Sequence, residues 1–312
     1  MPDGSCQSLS SPTSQSSVGD PLRDCHPSCF MIDTHCHLHD REFFTAEQAE
    51  AMIERAHKNN VKRIICIGTS HEDSLKAAEF AKEHNNVYWT YGIHPEETAS
   101  VMLYSGPRPS GPSPWADGAI PSLRSRVPRG ERAAALRNAP NIASTEAPIA
   151  IGEVGLDYHH DGYDREAQIK LFEQMLQLAV DNDLPVSFHV REAFEDFFGV
   201  VANFPKVRGV VHSFSDSKKK LKRILETTDF YIGVNGLATY STLPLPPLER
   251  ILLETDAPFL TPTPFRGIIN EPAYVPCIAD WLSKKMDVSL ETIEKETTRN
   301  AEKLFNFSDT VL

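Results

Sequence analysis

Features of exported and membrane-bound proteins are missing from this sequence. No stretch approaches the ~20 consecutive apolar residues that a membrane-spanning helix needs. The N-terminal segment is rich in serine and proline but has no apolar core typical of a secretory signal. The 6 cysteines show no Cys-x-x-Cys spacing, so we expect reduced thiols. These absences predict a cytoplasmic protein, with the nucleus as an alternative, and no membrane partner.

Basic residues are also fewer than acidic residues. The chain has 31 lysines and arginines against 43 aspartates and glutamates, a net charge of −12. Proteins that coat duplex nucleic acid usually present a broad basic face, which this composition disfavours. Any phosphate binding must therefore depend on local charge from metal ions and a few arginines.

Two segments lack the pattern of regular structure. Residues 1–30 read as a disordered tail, and about 101–143, rich in Pro, Gly and Ser, as an irregular insertion. The remaining chain, 31–307, is expected to form a single domain.

Strands and helices alternate through that domain. The apolar patterns predict strands at 31–38, 61–69, 87–93, 149–154, 186–190, 209–212, 230–234 and 250–254. Eight strands in this rhythm predict an α/β fold, a (β/α)8 TIM-type barrel. The alternative is a doubly wound open sheet, but no Gly-rich phosphate loop follows the first strand.

The connection between the seventh and eighth strands is unusually short. Pro244, Pro246 and Pro247 exclude a helix from the latter part of 236–249. We therefore expect the seventh helix to be absent or a single turn. Parallel strands are normally buried on both faces, so Leu252 and its outward neighbours would lose their usual cover. The protein would then be less stable, or would fill the gap by self-association or with its tail or insertion.

Histidines and acids recur where the predicted strands end. They are His35 and His37, His94, Glu153, His189, His212, and Glu254 with Asp256. A single carboxylate there is often only a helix cap, but a barrel gathers all these ends around one mouth. So many buried ionisable groups would be costly to desolvate without a partner, which predicts a metal site.

The number of ligands favours two divalent cations. One division has His35, His37 and Asp256 on the first ion and His189 and His212 on the second, with Glu153 bridging both. Such binuclear sites hold their ions about 3.5–4 Å apart and activate water for hydrolysis of esters or amides.

Seven runs of sequence resemble the TatD family of metal-dependent deoxyribonucleases. They are IDTHCHL at 32–38, GIHP at 92–95, IGEVGLDY at 151–158, FHVRE at 188–192, HSFS at 212–215, LETDAP at 253–258, and TPTPFRG at 261–267 followed by NEP at 270–272. Outside the insertion, the resemblance covers nearly all of 31–307.

The resemblance implies a TIM-type barrel that cleaves phosphodiester bonds of DNA, at ends or in single strands, using divalent cations (Mg²⁺, Zn²⁺ or Mn²⁺). It assigns the metal ligands to His35, His37, Glu153, His189, His212 and Asp256. Glu153, His94 and Asp256 would take part in catalysis. His94, Arg191, Arg266 and Glu254 would lie at the substrate, and Glu254 could also orient a ligand. No obligate protein partner is implied.

The sequence departs from this family at the insertion, at the short connection, and at Ile268 and Ile269, where relatives often carry basic residues. Two alternatives therefore stay open. One is a barrel hydrolase of small phosphoesters or amides, and the other is a catalytically weak metal-binding interaction protein.

Overall fold

The computed structural model describes residues 29–98 and 147–307. The predicted tail falls almost entirely outside these residues, as does the predicted insertion, so both remain predictions. Within the described part of the chain, no helix is long and apolar enough to cross a membrane.

Eight parallel strands form the centre of the described structure, each paired with the next along the chain. They are β1 (Met31–Cys36), β2 (Val61–Cys66), β3 (Val87–Tyr91), β4 (Ala150–Asp157), β5 (Val186–Arg191), β6 (Gly209–Val211), β7 (Tyr231–Val234) and β8 (Ile251–Leu253). A bridge between Cys36 and Ala257 returns the sheet to its first strand. The predicted TIM-type barrel is confirmed.

Helices alternate with these strands. They are α1 (Ala46–Lys58), α2 (His71–Glu83), α3 (Arg165–Asn182), α4 (Phe194–Val201), α5 (Lys218–Thr227), α6 (Val275–Met286) and α7 (Leu290–Phe305). Short polar side chains begin several of them. Thr45 opens α1 in a capping box with Gln48, because each side chain satisfies a backbone N–H of the other residue.

The apolar side chains form two layers. The larger lies between the strands and the helices, and alternate positions of the strands fill the barrel interior. Leu304 and Phe305 of α7 join the interior cluster with Ile32 and Val210. The last helix thus closes the end of the barrel opposite the mouth.

Side chains from β1 fasten the seam where β8 meets β1. The Thr34 hydroxyl donates to the Leu253 carbonyl at 2.9 Å. The fully buried Asp33 carboxylate accepts from the Thr255 backbone N–H at 2.9 Å and from its hydroxyl at 2.6 Å. The backbone N–H of Asp256 donates to the His35 carbonyl at 2.8 Å. The seam therefore depends on the same segments that carry the site residues.

The connection from β7 to β8 contains only 3-10 turns, at Gly236–Thr239 and Leu248–Arg250, so the missing helix is confirmed. The expectation that Leu252 is left uncovered is wrong. Leu252 is fully buried among interior residues such as Ile32 and Val210, because it faces inward.

The outer face of β7 is covered by the connection itself. Leu243 and Leu245 pack against the outer core and line a small cavity with Ile232 and Val234. Asn300 of α7 donates to the carbonyls of Leu248 and Ile251, at 2.9 Å each. An extended proline-rich segment thus performs the covering role that a helix usually has.

Candidate metal centre

His35 and His37 project from the end of β1 towards the carboxylate of Asp256. Nε2 of each imidazole lies 3.6 Å from Oδ1 of Asp256. On His37, Nδ1 donates to the Ile67 carbonyl at 3.1 Å, which leaves the lone pair on Nε2. Two ligands bound to one cation at about 2.1 Å in tetrahedral geometry lie about 3.4 Å apart. The three side chains therefore have the spacing of a cation site.

Glu153, at the middle of β4, occupies the centre of the mouth. One oxygen, Oε2, lies 3.5 Å from Nε2 of His35. The other, Oε1, lies 2.7 Å from Nδ1 of His189, 3.8 Å from Nε2 of His212 and 3.9 Å from Nε2 of His94. Its two oxygens face different groups of histidines, as a carboxylate shared by two ions would.

Two buried imidazole nitrogens in this cluster, Nε2 of His35 and Nδ1 of His212, have no hydrogen-bond partner in the described structure. Nε2 of His35 is shielded from solvent, yet it makes no hydrogen bond. An orphaned buried nitrogen costs free energy unless something occupies its lone pair. Its neighbours are acceptor carboxylates and other imidazoles, which is the donor set of a divalent cation. The residues present therefore fit a metal centre.

The close packing of these buried acids and histidines shifts their pKa values. Burial would raise the pKa of Glu153, but the hydrogen bond with His189 and the charges of His212 and His35 hold it well below its usual range. Burial would lower the pKa of His212, but the Glu254 and Asp256 carboxylates raise it to about 10. Burial and the neighbouring His212 lower the pKa of His35. Without a cation, Glu153 stays ionised and protonated His189 and His212 balance its charge.

A second ring of side chains orients the histidines. Ser187 Oγ lies 3.3 Å from Nδ1 of His35, and Asp157 Oδ2 lies 2.8 Å from Nε2 of His189. Gln168 fixes Asp157 by pairing with its backbone N–H and carbonyl, at 2.8 Å each. Asp157 and Ser187 were not predicted as site residues. The sequence signal for Asp157 is its place in the IGEVGLDY run, beyond the predicted end of the fourth strand.

Glu254 belongs to the same ring. It is fully buried, and Oε1 lies 3.1 Å from Nδ1 of His212. The carboxylate also accepts from the Ser213 backbone N–H at 2.7 Å and from Asn235 at 3.3 Å. A substrate cannot reach such a group, so the expectation that Glu254 binds substrate does not fit its burial. The other expected role, orienting a ligand, does fit.

His94 lies at the rim of the centre. Its Nδ1 accepts from the Glu96 backbone N–H at 3.3 Å, which places the proton of a neutral ring on Nε2. Burial, with a smaller effect of His189, lowers its pKa to about 4, so the ring is neutral at pH 7. Nε2 faces Glu153 and the mouth. A neutral imidazole there can donate a hydrogen bond or a proton.

The two predicted arginines are exposed. Arg191 ends β5, and among the described residues its guanidinium makes no ion pair. The guanidinium of Arg266 stacks 3.8 Å above the ring of Tyr240. Both are accessible to an anion.

The family model described as TatD-related DNase matches residues 32–306. The chain belongs to this TatD family. An uncharacterised metal-dependent hydrolase, YabD of Bacillus subtilis, is 30% identical over 287 residues, which are 89% of this chain and all of that protein. The 3'-5' ssDNA/RNA exonuclease TatD of Erwinia tasmaniensis is 30% identical over 291 residues, covering 88% of this chain and 100% of its own.

A solved TatD homologue, YJJV of Escherichia coli, has the same fold. It superposes with a TM-score of 0.69 at 27% identity, covering 90% of this chain and 99% of its own. The TatD chain described here is therefore a metal-dependent hydrolase, with its His and Glu clusters at the mouth of the barrel.

Proposed function

We propose that this protein is a metal-dependent nuclease that hydrolyses phosphodiester bonds of DNA, at ends or in single strands. One observation carries the proposal: a single carboxylate, Glu153, lies within 3.9 Å of nitrogen atoms on four histidines from different strand ends. The relative named as a 3'-5' ssDNA/RNA exonuclease supports the same substrate class. Cys36 and Cys66 are buried free thiols, in keeping with a cytoplasmic location.

Two cations fit the arrangement of ligands. His35, His37 and Asp256 would hold one, His189 and His212 the other, and Glu153 both. The imidazole-rich donor set suits Zn²⁺ or Mn²⁺, while the family resemblance points to Mg²⁺. When bound, the ions lower the pKa of water and neutralise charge on the phosphate.

The protein groups supply the rest of the chemistry. Burial raises the pKa of Asp256, but His212 and His37 lower it below its usual range. This ionised carboxylate accepts a proton from the attacking water as the water oxygen bonds to phosphorus. Nε2 of His94 donates to the oxygen that leaves. Arg191 and Arg266 hold the non-bridging oxygens, because guanidinium matches their geometry.

A second candidate, hydrolysis of small phosphoesters, is favoured by the net charge of −12 and by the exposed Ile268 and Ile269, which offer no phosphate contact. Purified protein, stripped and reloaded with Mg²⁺, Mn²⁺ or Zn²⁺, should be incubated with end-labelled single-stranded and duplex DNA, RNA, and bis(p-nitrophenyl) phosphate. Glu153→Ala is the test variant, and His57→Ala, a half-buried position in the last turn of α1, is the control.

We expect metal-dependent cleavage of DNA that Glu153→Ala abolishes and His57→Ala retains. Turnover of the small ester alone would establish the second candidate. Metal binding without turnover of any substrate would indicate an interaction protein.

A further inference from the structure

Exposed apolar side chains concentrate beside the metal centre. Phe43 is 43% exposed, Phe259 47%, Ile268 55% and Ile269 52%, and all four lie in the loops that follow β1 and β8. His35 lies in β1, His37 directly follows β1, and Asp256 follows β8. Large apolar groups exposed together usually mark a binding surface.

Phe43 and Phe259 form an aromatic pair, here called the aromatic ledge. Their rings meet edge to face, with centroids 5.3 Å apart and planes at 81°. The Phe259 ring also lies 6.5 Å from the ring of His37. The ledge therefore borders the proposed first cation site directly.

The ledge is held rigidly. The Phe43 and Phe44 backbone N–H groups both donate to the Asp40 carbonyl, at 3.3 and 3.0 Å, and the Phe44 ring is buried in the core. The Phe259 N–H donates to the Asp256 carbonyl at 2.8 Å, and its own carbonyl accepts from Asn270 at 2.5 Å. The exposure of the rings follows from fixed backbone, so they are pre-organised to bind.

We infer that the aromatic ledge is a stacking site for an unpaired nucleobase next to the scissile phosphate, an inference that rests on the proposed nuclease function. A chain with a net charge of −12 gains little from general attraction to phosphate, so stacking must supply affinity. The faces of bases inside a duplex are already covered by their neighbours. The ledge therefore selects single strands or frayed ends.

The test compares oligonucleotides with and without bases. One strand has normal bases, and a second of equal length has tetrahydrofuran abasic residues at both ends. The variants are Phe259→Ala, Phe259→Leu, which keeps apolar bulk without a π-face, and Phe259→Trp. Leu75→Ala is the matched control, because Leu75 is 46% exposed on α2.

Phe259→Ala and Phe259→Leu should lower kcat/KM on the normal strand by about tenfold or more. They should leave cleavage of the abasic strand unchanged. Phe259→Trp and Leu75→Ala should behave as wild type, and all variants should bind equal metal. An equal loss on both strands, or no loss on either, would overturn the stacking site.

A second readout needs no catalysis. In EDTA, the wild type should quench an oligonucleotide carrying 2-aminopurine at its ends, and Phe259→Ala should not. If the wild type quenches the oligonucleotide but cleaves no strand with any of the metals, the stacking site is supported and the proposed nuclease function is refuted. If the wild type cleaves DNA but its quenching does not depend on Phe259, the nuclease function is supported and the stacking site is refuted.

Discussion

Nδ1 of His212 lies 3.1 Å from Oε1 of Glu254, a carboxylate completely shielded from solvent. The charge of Glu254 favours a proton on Nδ1, and Nε2 of His212 faces Glu153 and Asp256, 3.8 and 3.7 Å away. The proposed second cation therefore depends on a residue that neither metal nor substrate touches. Gly233 packs against this carboxylate so closely that an added Cβ would lie 2.2 Å from Oε2.

The Glu254→Gln variant tests this role. The amide can present an N–H to Nδ1 and so favour the wrong tautomer of His212. We expect about a 10- to 100-fold loss of affinity for one metal equivalent, with little change in fold. Isothermal titration with Mn²⁺ or Zn²⁺ measures it, with the exposed Glu249→Gln as control. Unchanged affinity in Glu254→Gln would remove Glu254 from the site.

The metal stoichiometry tests the proposed ligand assignment. Asp256→Ala should lose one metal equivalent and most hydrolysis, because this carboxylate serves one ion. Glu153→Ala should disturb both, because its oxygens face both groups of histidines. Elemental analysis of the purified variants gives the answer. Wild-type metal content and activity in Glu153→Ala would refute the arrangement.

The pair between His39 and Asp73 predicts a pH-dependent stability. Nε2 of His39 lies 3.0 Å from Oδ1 of Asp73. Burial opposes charge on His39, but Asp73 and the nearby Cys66 raise the pKa of His39 to about 9. Burial also opposes ionisation of Asp73, but His39 lowers the pKa of Asp73 to about 2. The stabilisation from His39 is complete below its unfolded pKa of about 6.5 and is lost as pH rises through about 9. That from Asp73 is complete above about 4 and is lost as pH falls through about 2.

Asp73→Asn should therefore lower the free energy of unfolding by about 2–3 kcal/mol at pH 6, and the difference should shrink by pH 9.5. Urea denaturation at both pH values measures this. The control is Glu72→Gln, whose exposed pair with Lys76 should contribute less than about 1 kcal/mol. A difference that is the same at both pH values would show that the pair is not ionised.

The connection between β7 and β8 predicts a specific structural role for Asn300. Its amide satisfies two carbonyls that no helix covers. Asn300→Ala should lower the free energy of unfolding by about 1–3 kcal/mol. Hydrogen exchange should speed up in β8 before it does in β4. Asn203→Ala, at an exposed amide on the loop after α4, should have little effect. Equal stability of the two variants would contradict the role.

The sequence predicted most of the fold, because the apolar residues of β1 to β8 and of the helices recur at clear intervals. It also predicted the histidines and acids that the mouth brings together, since strand ends are recognisable from apolar runs. It did not predict Ser187 and Asp157 as partners of histidines. Such contacts depend on which positions of different strands face each other, and a strand pattern alone does not specify register.

The error at Leu252 has a related cause. An apolar run of three residues in β8 does not show which of the three side chains point into the barrel. Glu254 provides the missing information, since residues two apart in a strand share a face, and a carboxylate directed at the mouth places Leu252 in the interior. The proline-rich cover of β7 was unpredictable for another reason: Leu243 and Leu245 have no helical period by which to assign their contacts.

The seam between β1 and β8 also determines when the protein can become active. Asp33 and Thr255, which hold it, are 222 positions apart, and the metal ligands on either side come from the beginning and the end of the barrel sequence. A nascent chain that still lacks β8 has neither Asp256 nor the ledge contributed by Phe259. The growing polypeptide therefore carries five of the six proposed metal ligands and lacks the one that completes the first cation site. The complete metal centre must therefore wait until synthesis of the barrel is almost finished, and truncated chains that end before β8 cannot assemble it.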